Sequence, residues 1–174
     1  MTRKKLLRRV AILCCHCLRN LAYYKAGFSN GNRNFAGQFL VAANGNFLDI
    51  CVLEWCKLFG DTRGKHYWGK VVKDPKGFFA GLLKACRVTE SDFADCIKEM
   101  RTYRDTFVAH LDLDLVMQIP KLKIVEGSVS YFYDYLLAHE DEGNFFPDAP
   151  KKISVYYTRC LKEGKAGYEG ESVT

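Results

Sequence analysis

The chain has 174 residues, of which 48% are hydrophobic and 14% are aromatic, and its formal net charge at pH 7 is +6. This size and apolar content predict one compact core, so they exclude a disordered chain and argue against two domains. Apolar residues spaced three and four apart, together with only 4 prolines, predict an all-α fold rather than a β-sandwich or barrel. The positive charge favours polyanionic partners.

In the first half of the chain, the spacing of apolar residues predicts two long helices. The first runs from about Thr2 to Lys25 with one buried stripe. The second is supported from Phe35 onwards and ends near Gly60. The segment 61–74 is polar and contains glycines, and we expect it to form the longest loop of this half.

Start signals indicate further helices in the second half. Asp74 followed by Pro75 places an N-cap residue before a proline at the first helical position. The next helix has Thr89 or Ser91 as its cap and includes the segment discussed below. Apolar residues at helical spacing beyond Pro120 predict another helix.

The last predicted helix opens at residues 148–150, where an aspartate precedes a proline, and it ends near Leu161. After it, the glycine-containing end of the chain carries no helical pattern. We therefore expect a single helical domain over residues 1–163 and a flexible tail over residues 164–174.

The start of the chain has basic residues before an apolar run, as a secretory signal does. His16 and Arg19 interrupt that run and no small-residue cleavage site follows, so export is not expected. No stretch approaches the roughly 18 apolar residues of a membrane-spanning helix. We therefore expect a soluble, cytoplasmic protein with no membrane partner.

Eight cysteines occupy mostly apolar helical positions rather than a loop-rich disulfide scaffold, which predicts free thiols in a reducing compartment. The run Cys14-Cys15-His16-Cys17 raises a zinc site as an alternative. Residues adjacent on a helix point in different directions, however, and no second ligand pair of standard spacing follows. Packing in the core is therefore favoured, and no metal or cofactor is expected.

The most informative segment runs from Arg104 to His110, near the end of a predicted helix. An immobile cation and a group that titrates near neutral pH are the side chains needed to cleave RNA without a metal. Six residues of straight α-helix leave the two about 120° apart around the axis and about 9 Å apart along it, so they do not face one phosphate. Either the helix bends or ends near Ala109, or the side chains meet their counterparts across the two-fold axis of a dimer.

The acidic residues near this segment are unevenly placed. Asp105 has Arg101 four residues before it, which is the spacing of a local ion pair. The adjacent helical positions give Arg104 no acidic neighbour. Arg104 must therefore reach another helix, another subunit or a ligand, or stay in water.

An arginine followed by a polar residue and, about four to six positions later, by a histidine near the end of a helix resembles the HEPN superfamily. The sequence of residues 103–112 is similar to that of the abortive-infection, AbiU-type branch of this superfamily. A second similarity lies in the tryptophan-containing helix end at 53–60 and the His-Tyr-Trp sequence at 66–68. The resemblance implies an up-and-down helical bundle with additional helices, which dimerises and joins both Arg/His motifs in one cleft.

Many proteins of this superfamily are metal-independent endoribonucleases of toxin or phage-defence systems, while others are noncatalytic modules that bind RNA, nucleotide or a protein partner. The resemblance implies that His110 acts as base or acid, that Arg104 holds the phosphate and that Asp105 orients one of them. It also implies RNA as the substrate and a homodimer, with an antitoxin or another defence-system component as a candidate partner.

Two observations qualify this resemblance. Tyrosine-modified relatives carry a tyrosine two residues after the histidine, but that residue is Asp112 here, so no nucleotidyltransferase partner is inferred. In the alternative that needs no catalysis, the same side chains form solvated ion pairs, and His110 caps the helix or bonds to Asp114.

The 61–74 loop contains a second group of candidate RNA-binding residues, because phosphates and stacked bases require cations and rings. The candidates are Arg63, Lys65, His66, Tyr67, Trp68, Lys70 and Lys73, together with Arg101 beside the motif. The alternative is that Tyr67 and Trp68 anchor the loop into the bundle while the charges stay solvated. The same choice applies to the basic cluster at the start of the chain, which either steers RNA or forms a solvated helix face. That cluster consists of Arg3, Lys4, Lys5, Arg8 and Arg9.

Overall fold

The computed structural model describes residues 1–108 and 119–170, and within these ranges the chain is mostly helical. The all-α prediction is confirmed at this level. The α-helices are α1 (Arg3–Ala26), α2 (Gln38–Trp55), α3 (Trp68–Val71), α4 (Pro75–Cys86), α5 (Glu90–Tyr103), α6 (Leu122–His139) and α7 (Ile153–Gly170). Two π-helical segments continue α2 and α5 directly, over Cys56–Gly60 and Arg104–Val108.

Helix α1 lies at the centre of the fold and packs against α2, α6 and α7. Its predicted stripe is confirmed, since Leu7, Val10, Cys14 and Leu21 are fully buried. Full burial of a leucine-sized side chain stabilises a fold by about 1.5–3 kcal/mol, so this stripe is a main source of cohesion. All eight cysteines are free, and most are buried, as their apolar positions predict.

Polar contacts inside the core fix how the helices sit on one another. Trp55 of α2 is fully buried, and its indole Nε1–H donates to Ser128 Oγ of α6 at 2.9 Å. The ring of Trp55 also packs against Phe59, with 5.1 Å between ring centroids. Because a buried N–H is costly to leave unpaired, this bond favours one relative orientation of α2 and α6.

The predicted helix starts at Asp74 and Thr89 are confirmed. The Asp74 carboxylate accepts a hydrogen bond from Gly77 N at 3.0 Å, with Pro75 in the first turn of α4. Thr89, rather than Ser91, caps α5, and its hydroxyl and the Asp92 carboxylate form a reciprocal capping box. These contacts satisfy N–H groups that have no partner inside their own helix.

A short hairpin between α1 and α2 was not predicted. Strands β1 (Phe28–Ser29) and β2 (Asn32–Arg33) pair antiparallel across a turn in which Asn30 and Gly31 both have positive φ, 50° and 80°. Asn-Gly is the preferred pair for such a turn, so a sequence signal for it existed. Phe35, which was assigned to the second helix, lies before α2 and is nonetheless buried.

The expectation of a loose tail from Gly164 onwards is corrected, because α7 continues to Gly170. Tyr168 is buried in the last turns of this helix and stacks on Phe35, with 4.7 Å between ring centroids. Its hydroxyl oxygen accepts a hydrogen bond from Asn44 Nδ2 at 2.8 Å. The helix therefore ends beyond the predicted boundary because its last turns cover α2, while residues 171–174 lie outside the described ranges.

One helical stretch, Gln38–Gly60, is long and apolar enough to cross a membrane by the criteria of length and composition. The expectation that no stretch of the chain approaches the length of a membrane-spanning helix is therefore wrong for Gln38–Gly60. One third of the most apolar window of this stretch is buried inside the fold. Length and composition alone do not separate a spanning helix from a helix that contributes to a protein core.

Candidate functional site

The position of Arg104 is set by the way α5 docks on α2. Phe93, Met100 and Tyr103 form the buried stripe of α5. The Tyr103 hydroxyl donates to Asp49 Oδ1 of α2 at 2.9 Å, and burial followed by this carboxylate raises the pKa of Tyr103. Arg104 comes directly after this anchor, at the start of the second π segment. Its backbone is therefore held close to the end of α2.

The Arg104 side chain is 18% exposed and contacts two carboxylates. Its Nη1 donates to Asp61 Oδ1 at 2.6 Å, and its Nε donates to Asp105 Oδ1 at 2.8 Å. The prediction that Arg104 reaches a group outside its own helix is confirmed by its contact with Asp61, which lies 43 positions away in the sequence. The contact with Asp105 joins adjacent residues, a pairing that regular α-helical geometry does not favour.

Both π segments take part in this arrangement. Asp61 follows the first one, and its backbone N–H donates to Cys56 O at 2.8 Å, which closes an i→i+5 bond and presents the carboxylate towards α5. Arg104 opens the second one. Single π turns are rare in proteins, and those that occur are often found at functional sites. Two of them joined by one ion pair therefore make this region a candidate functional site.

The charges at this site are strongly coupled. Hydrogen bonding to Asp105, and then to Asp61, raises the pKa of Arg104 above its usual value. Burial raises the pKa of the nearby Cys56 thiol to about 12, although the charge of Arg104 opposes this shift. A thiol with that pKa is protonated at neutral pH and is a poor nucleophile. The cluster therefore consists of one permanent cation and two carboxylates.

Sequence reasoning missed Asp61. The only signal was an acidic residue directly after the end of a long apolar helix, and nothing in the pattern related it to Arg104. A guanidinium has five N–H donors, and the two bonds described above use two of them. The arrangement can therefore hold the arginine in one orientation and still present donors to an oxyanion.

His110 lies outside the described residues, as do Ala109, Asp112 and Asp114, so its distance from Arg104 and the predicted bend near Ala109 stay predictions. One premise of the sequence geometry is nevertheless corrected. The backbone leaves the α-helical form at Arg104, and an angle of 100° per residue does not apply to a π segment.

The aromatic residues of the segment 61–74 are partly buried and pack against protein, and Trp68 begins the short helix α3 inside the predicted loop. The Trp68 ring is stacked on Phe79, with a centroid distance of 5.4 Å and an interplanar angle of 8°, and it also stacks on Phe78 at 5.2 Å. Tyr67 packs against Trp68 at 5.3 Å. The alternative in which these rings anchor the segment thus describes their position, because protein rings cover part of the Trp68 ring.

The cations of the same loop stay on the surface. Arg63, Lys65 and Lys70 are exposed, and Lys70 Nζ donates to Arg63 O at 2.9 Å. The His66 ring is partly buried, its Nε2 has no hydrogen-bond partner in the part of the chain described, and burial followed by the charge of Lys65 lowers its pKa. Arg101 is also exposed, one turn of α5 before Arg104.

The basic cluster at the start of the chain divides into structural and exposed members. Arg3 donates to Val71 O at 2.8 Å and pairs with Glu140, whose other oxygen accepts from Lys73 N at 2.8 Å. Glu140 is 1% exposed, so Arg3 is the partner of a buried carboxylate rather than a free contact for RNA. Lys4, Lys5 and Arg9 are exposed.

The Cys14-Cys15-His16-Cys17 run does not converge on one point. Cys14 and Cys17 are fully buried in the core, and Cys17 Sγ contacts Cys51 Sγ of α2 at 3.7 Å. Cys15 and His16 are half-buried on another face of α1. Over residues 1–108 and 119–170, no three His, Cys, Asp or Glu side chains are grouped as metal ligands would be.

Comparisons with models of protein families, with curated proteins and with solved structures gave no significant match.

Proposed function

We propose that this protein is a metal-independent endoribonuclease of toxin or phage-defence type, similar to HEPN proteins, with a composite Arg/His cleft in a homodimer. The observation that carries the proposal is the Arg104 guanidinium, which two carboxylates hold in place six residues before His110 in a helical chain. A cation fixed in advance stabilises a developing phosphorane without reorganising during the reaction. The proposed cellular setting is the cytoplasm.

The chemistry needs one base, one acid and fixed positive charge. The base takes the proton of the RNA 2′-hydroxyl, whose oxygen forms a bond to phosphorus while the bond from phosphorus to the 5′-oxygen breaks. The acid gives a proton to the departing oxygen. The products are a 2′,3′-cyclic phosphate and a 5′-hydroxyl. In the proposed dimer, His110 of one protomer and His110 of the other share the two proton transfers.

Asp105 and Asp61 have different expected roles in this reaction. Asp105 is bonded to Nε and sets the plane of the guanidinium, which is the orienting role expected from the resemblance. Asp61 is bonded to Nη1, one of the two terminal nitrogens that bind a phosphate in the bidentate manner. An RNA phosphate therefore binds beside Asp61 through the remaining donors, or it displaces Asp61.

One observation favours a second candidate, a noncatalytic module that binds RNA, nucleotide or a protein through the same surface. Arg104 contributes one positive charge beside the two carboxylates of Asp61 and Asp105. The cluster therefore carries a formal charge of −1 when both carboxylates are ionised. A negative cluster repels a second phosphate-bearing ligand at long range. In this alternative the ion pairs chiefly join α5 to the end of α2.

Cleavage of a labelled single-stranded RNA in EDTA separates the two candidates. We expect the wild-type chain to produce 2′,3′-cyclic ends, and a 2′-O-methyl substrate to be bound without being cut. Arg104→Ala and His110→Ala should each abolish cleavage while sedimentation shows an intact dimer. Lys98→Ala is the matched control, because Lys98 is an exposed cation on α5, the helix that directly precedes Arg104.

Cleavage that persists in both Arg104→Ala and His110→Ala would rule out the ribonuclease proposal. Binding of RNA that depends on Arg104, without cleavage at any enzyme concentration, would instead support the noncatalytic module. Expression in bacteria gives a second readout. An active ribonuclease should slow growth, and His110→Ala should relieve that effect.

A further inference from the structure

A cleft of about 390 Å³ lies on the side of the fold formed by α1, the start of α7 and the segment that joins α6 to α7. Its size is within the range of sites that hold small organic ligands. None of the residues around Arg104 lines it. The cleft is therefore separate from the proposed ribonuclease site, and its role does not depend on that site.

Three guanidinium groups line the cleft together with one carboxylate, that of Asp148. Arg8 is 3.7 Å from Asp148, whose side chain is 87% exposed, and Arg159 is 3.7 Å from Glu163, another solvent-exposed group. Arg19 is half-buried and has no carboxylate within ion-pair distance in the described ranges. Exposed ion pairs at such separations contribute little, so the cleft keeps unneutralised positive charge.

The charge of Arg19 reaches groups on both helices that flank the cleft. Its charge opposes the rise that burial causes in the pKa of Cys15 and of Tyr156, which are on the two helices that flank the cleft. A half-buried arginine without an acidic partner loses hydration and gains no ion pair in return. An anion bound in the cleft would supply that missing partner.

Aromatic rings form the walls between these cations. Phe145 and Phe146 line the cleft and are partly exposed, whereas Tyr133 is fully buried and its hydroxyl donates to Pro150 O at 2.6 Å. Tyr156 also lines the cleft, with the Arg159 guanidinium 5.4 Å from its ring centroid. Rings beside guanidinium groups suit a ligand that is flat and apolar at one end and anionic at the other.

We propose that this cleft binds a small organic anion with a planar apolar body, whose negative group pairs with Arg19, Arg8 and Arg159. The planar body lies against Tyr156 and Phe146. A phosphate ester and a carboxylate share this chemistry, and the size of the cleft admits either.

Isothermal titration calorimetry with 1-naphthyl phosphate tests the site, since this probe combines a flat ring system with a dianion. We expect one site per chain with a Kd of about 1 mM or tighter, and weaker binding as the NaCl concentration rises. Inorganic phosphate has only the anionic group of the probe, and 1-naphthol has only its ring system. Each should bind at least about tenfold more weakly than 1-naphthyl phosphate. AMP and 1-naphthoate then distinguish a nucleotide-type ligand from a carboxylate-type ligand.

Charge variants tie binding to the cleft. Arg19→Ala should weaken binding by about tenfold or more. Arg159→Glu should do the same, and because its side chain is 66% exposed this substitution does not disturb the core. Arg9→Ala is the matched control, an exposed arginine on the same helix as Arg8 and outside the cleft, and it should leave the Kd within about twofold.

The proposal is overturned if 1-naphthyl phosphate, AMP and 1-naphthoate all fail to bind, or if inorganic phosphate binds as tightly as they do. It is also overturned if neither Arg19→Ala nor Arg159→Glu changes the Kd. Arg104→Ala should leave binding in this cleft unchanged, so a failure here and a failure of the ribonuclease proposal are separate results.

Discussion

Arg104 and Arg19 are both partly buried arginines in helical segments, yet their surroundings differ in one decisive respect. Two carboxylates, Asp61 and Asp105, lie within 2.6 Å and 2.8 Å of Arg104. Arg19 shares a cleft with two other arginines, and the described part of the chain gives it no carboxylate partner. The first cation is held by the protein itself, and the second is available to a ligand.

This difference shows that residue type and burial do not define the role of an arginine. A guanidinium with carboxylates on two of its nitrogens is oriented before any substrate arrives, which suits a group that must act on one atom. A guanidinium among other cations is electrostatically unfavourable until an anion binds, which suits recognition of a small ligand.

The largest expected effect concerns activity. Arg104→Ala should lower the rate of RNA cleavage by about 100-fold or more, because it removes a preorganised donor to the phosphorane. Arg19→Ala should leave the rate within about twofold, since Arg19 lies outside the Arg104 cluster. Initial rates on the same labelled RNA measure both. Equal losses in the two variants would contradict the division of roles.

The two substitutions should also differ in stability. Arg104→Ala leaves Asp61 and Asp105 without their shared cation, and we expect a loss of about 1–2 kcal/mol in the free energy of unfolding, reduced by the partial exposure of both acids. Arg19→Ala removes a cation from a cluster of cations, so its effect should lie within about 0.5 kcal/mol. Urea denaturation measures the two values, and a larger loss for Arg19→Ala would refute the comparison.

Asp61→Asn tests whether Asp61 competes with an RNA phosphate for the Arg104 guanidinium or only orients it. The amide keeps the shape of the side chain but removes one negative charge, so affinity for an uncleavable 2′-O-methyl RNA should rise by about threefold. Asp95→Asn makes the same charge change at an exposed site on α5. An equal gain in both variants would mean that net charge, rather than competition for Arg104, explains the effect.

The smallest expected effect concerns His66, which extends the comparison to a titratable group. Burial, followed by the charges of Lys65, Arg9 and Lys57, lowers its pKa from 6.5, and Glu54 opposes the shift. Since the folded state binds this proton less tightly than the unfolded state, stability is complete above about pH 6.5 and falls below it. His66→Gln should remove that contribution, well below about 1 kcal/mol, from stability measured against pH.

The helices themselves followed from local signals. The capping residues Asp74 and Thr89 act where the sequence places them, and the apolar stripe of α1 is buried as its spacing predicts. Such features involve neighbours within four residues, so a pattern along the chain is sufficient to find them. The end of α7 was misplaced because Tyr168 is held by Phe35 and Asn44, which are distant in sequence.

The candidate site was predictable only in part. The sequence pointed to Arg104 and indicated that its partner lies elsewhere, but it gave no means of choosing Asp61 from the other acidic residues. The sequence allowed Trp68 either to pack in the protein, which was favoured, or to stack on a base, and its contacts with Phe78 and Phe79 show packing. The free energy of such contacts depends on which surfaces the fold brings together, and periodicity carries no information about that.

The sequence by itself determined the helical class, the starts of α4 and α5, the burial of α1 and the unusual position of Arg104. Tertiary structure decided which charges meet. It placed the Asp61 carboxylate on the Arg104 guanidinium and left Arg19 in a cleft beside two further arginines. Helix formation depends on contacts a few residues apart, whereas the neutralisation of a charge depends on groups brought together from distant parts of the chain.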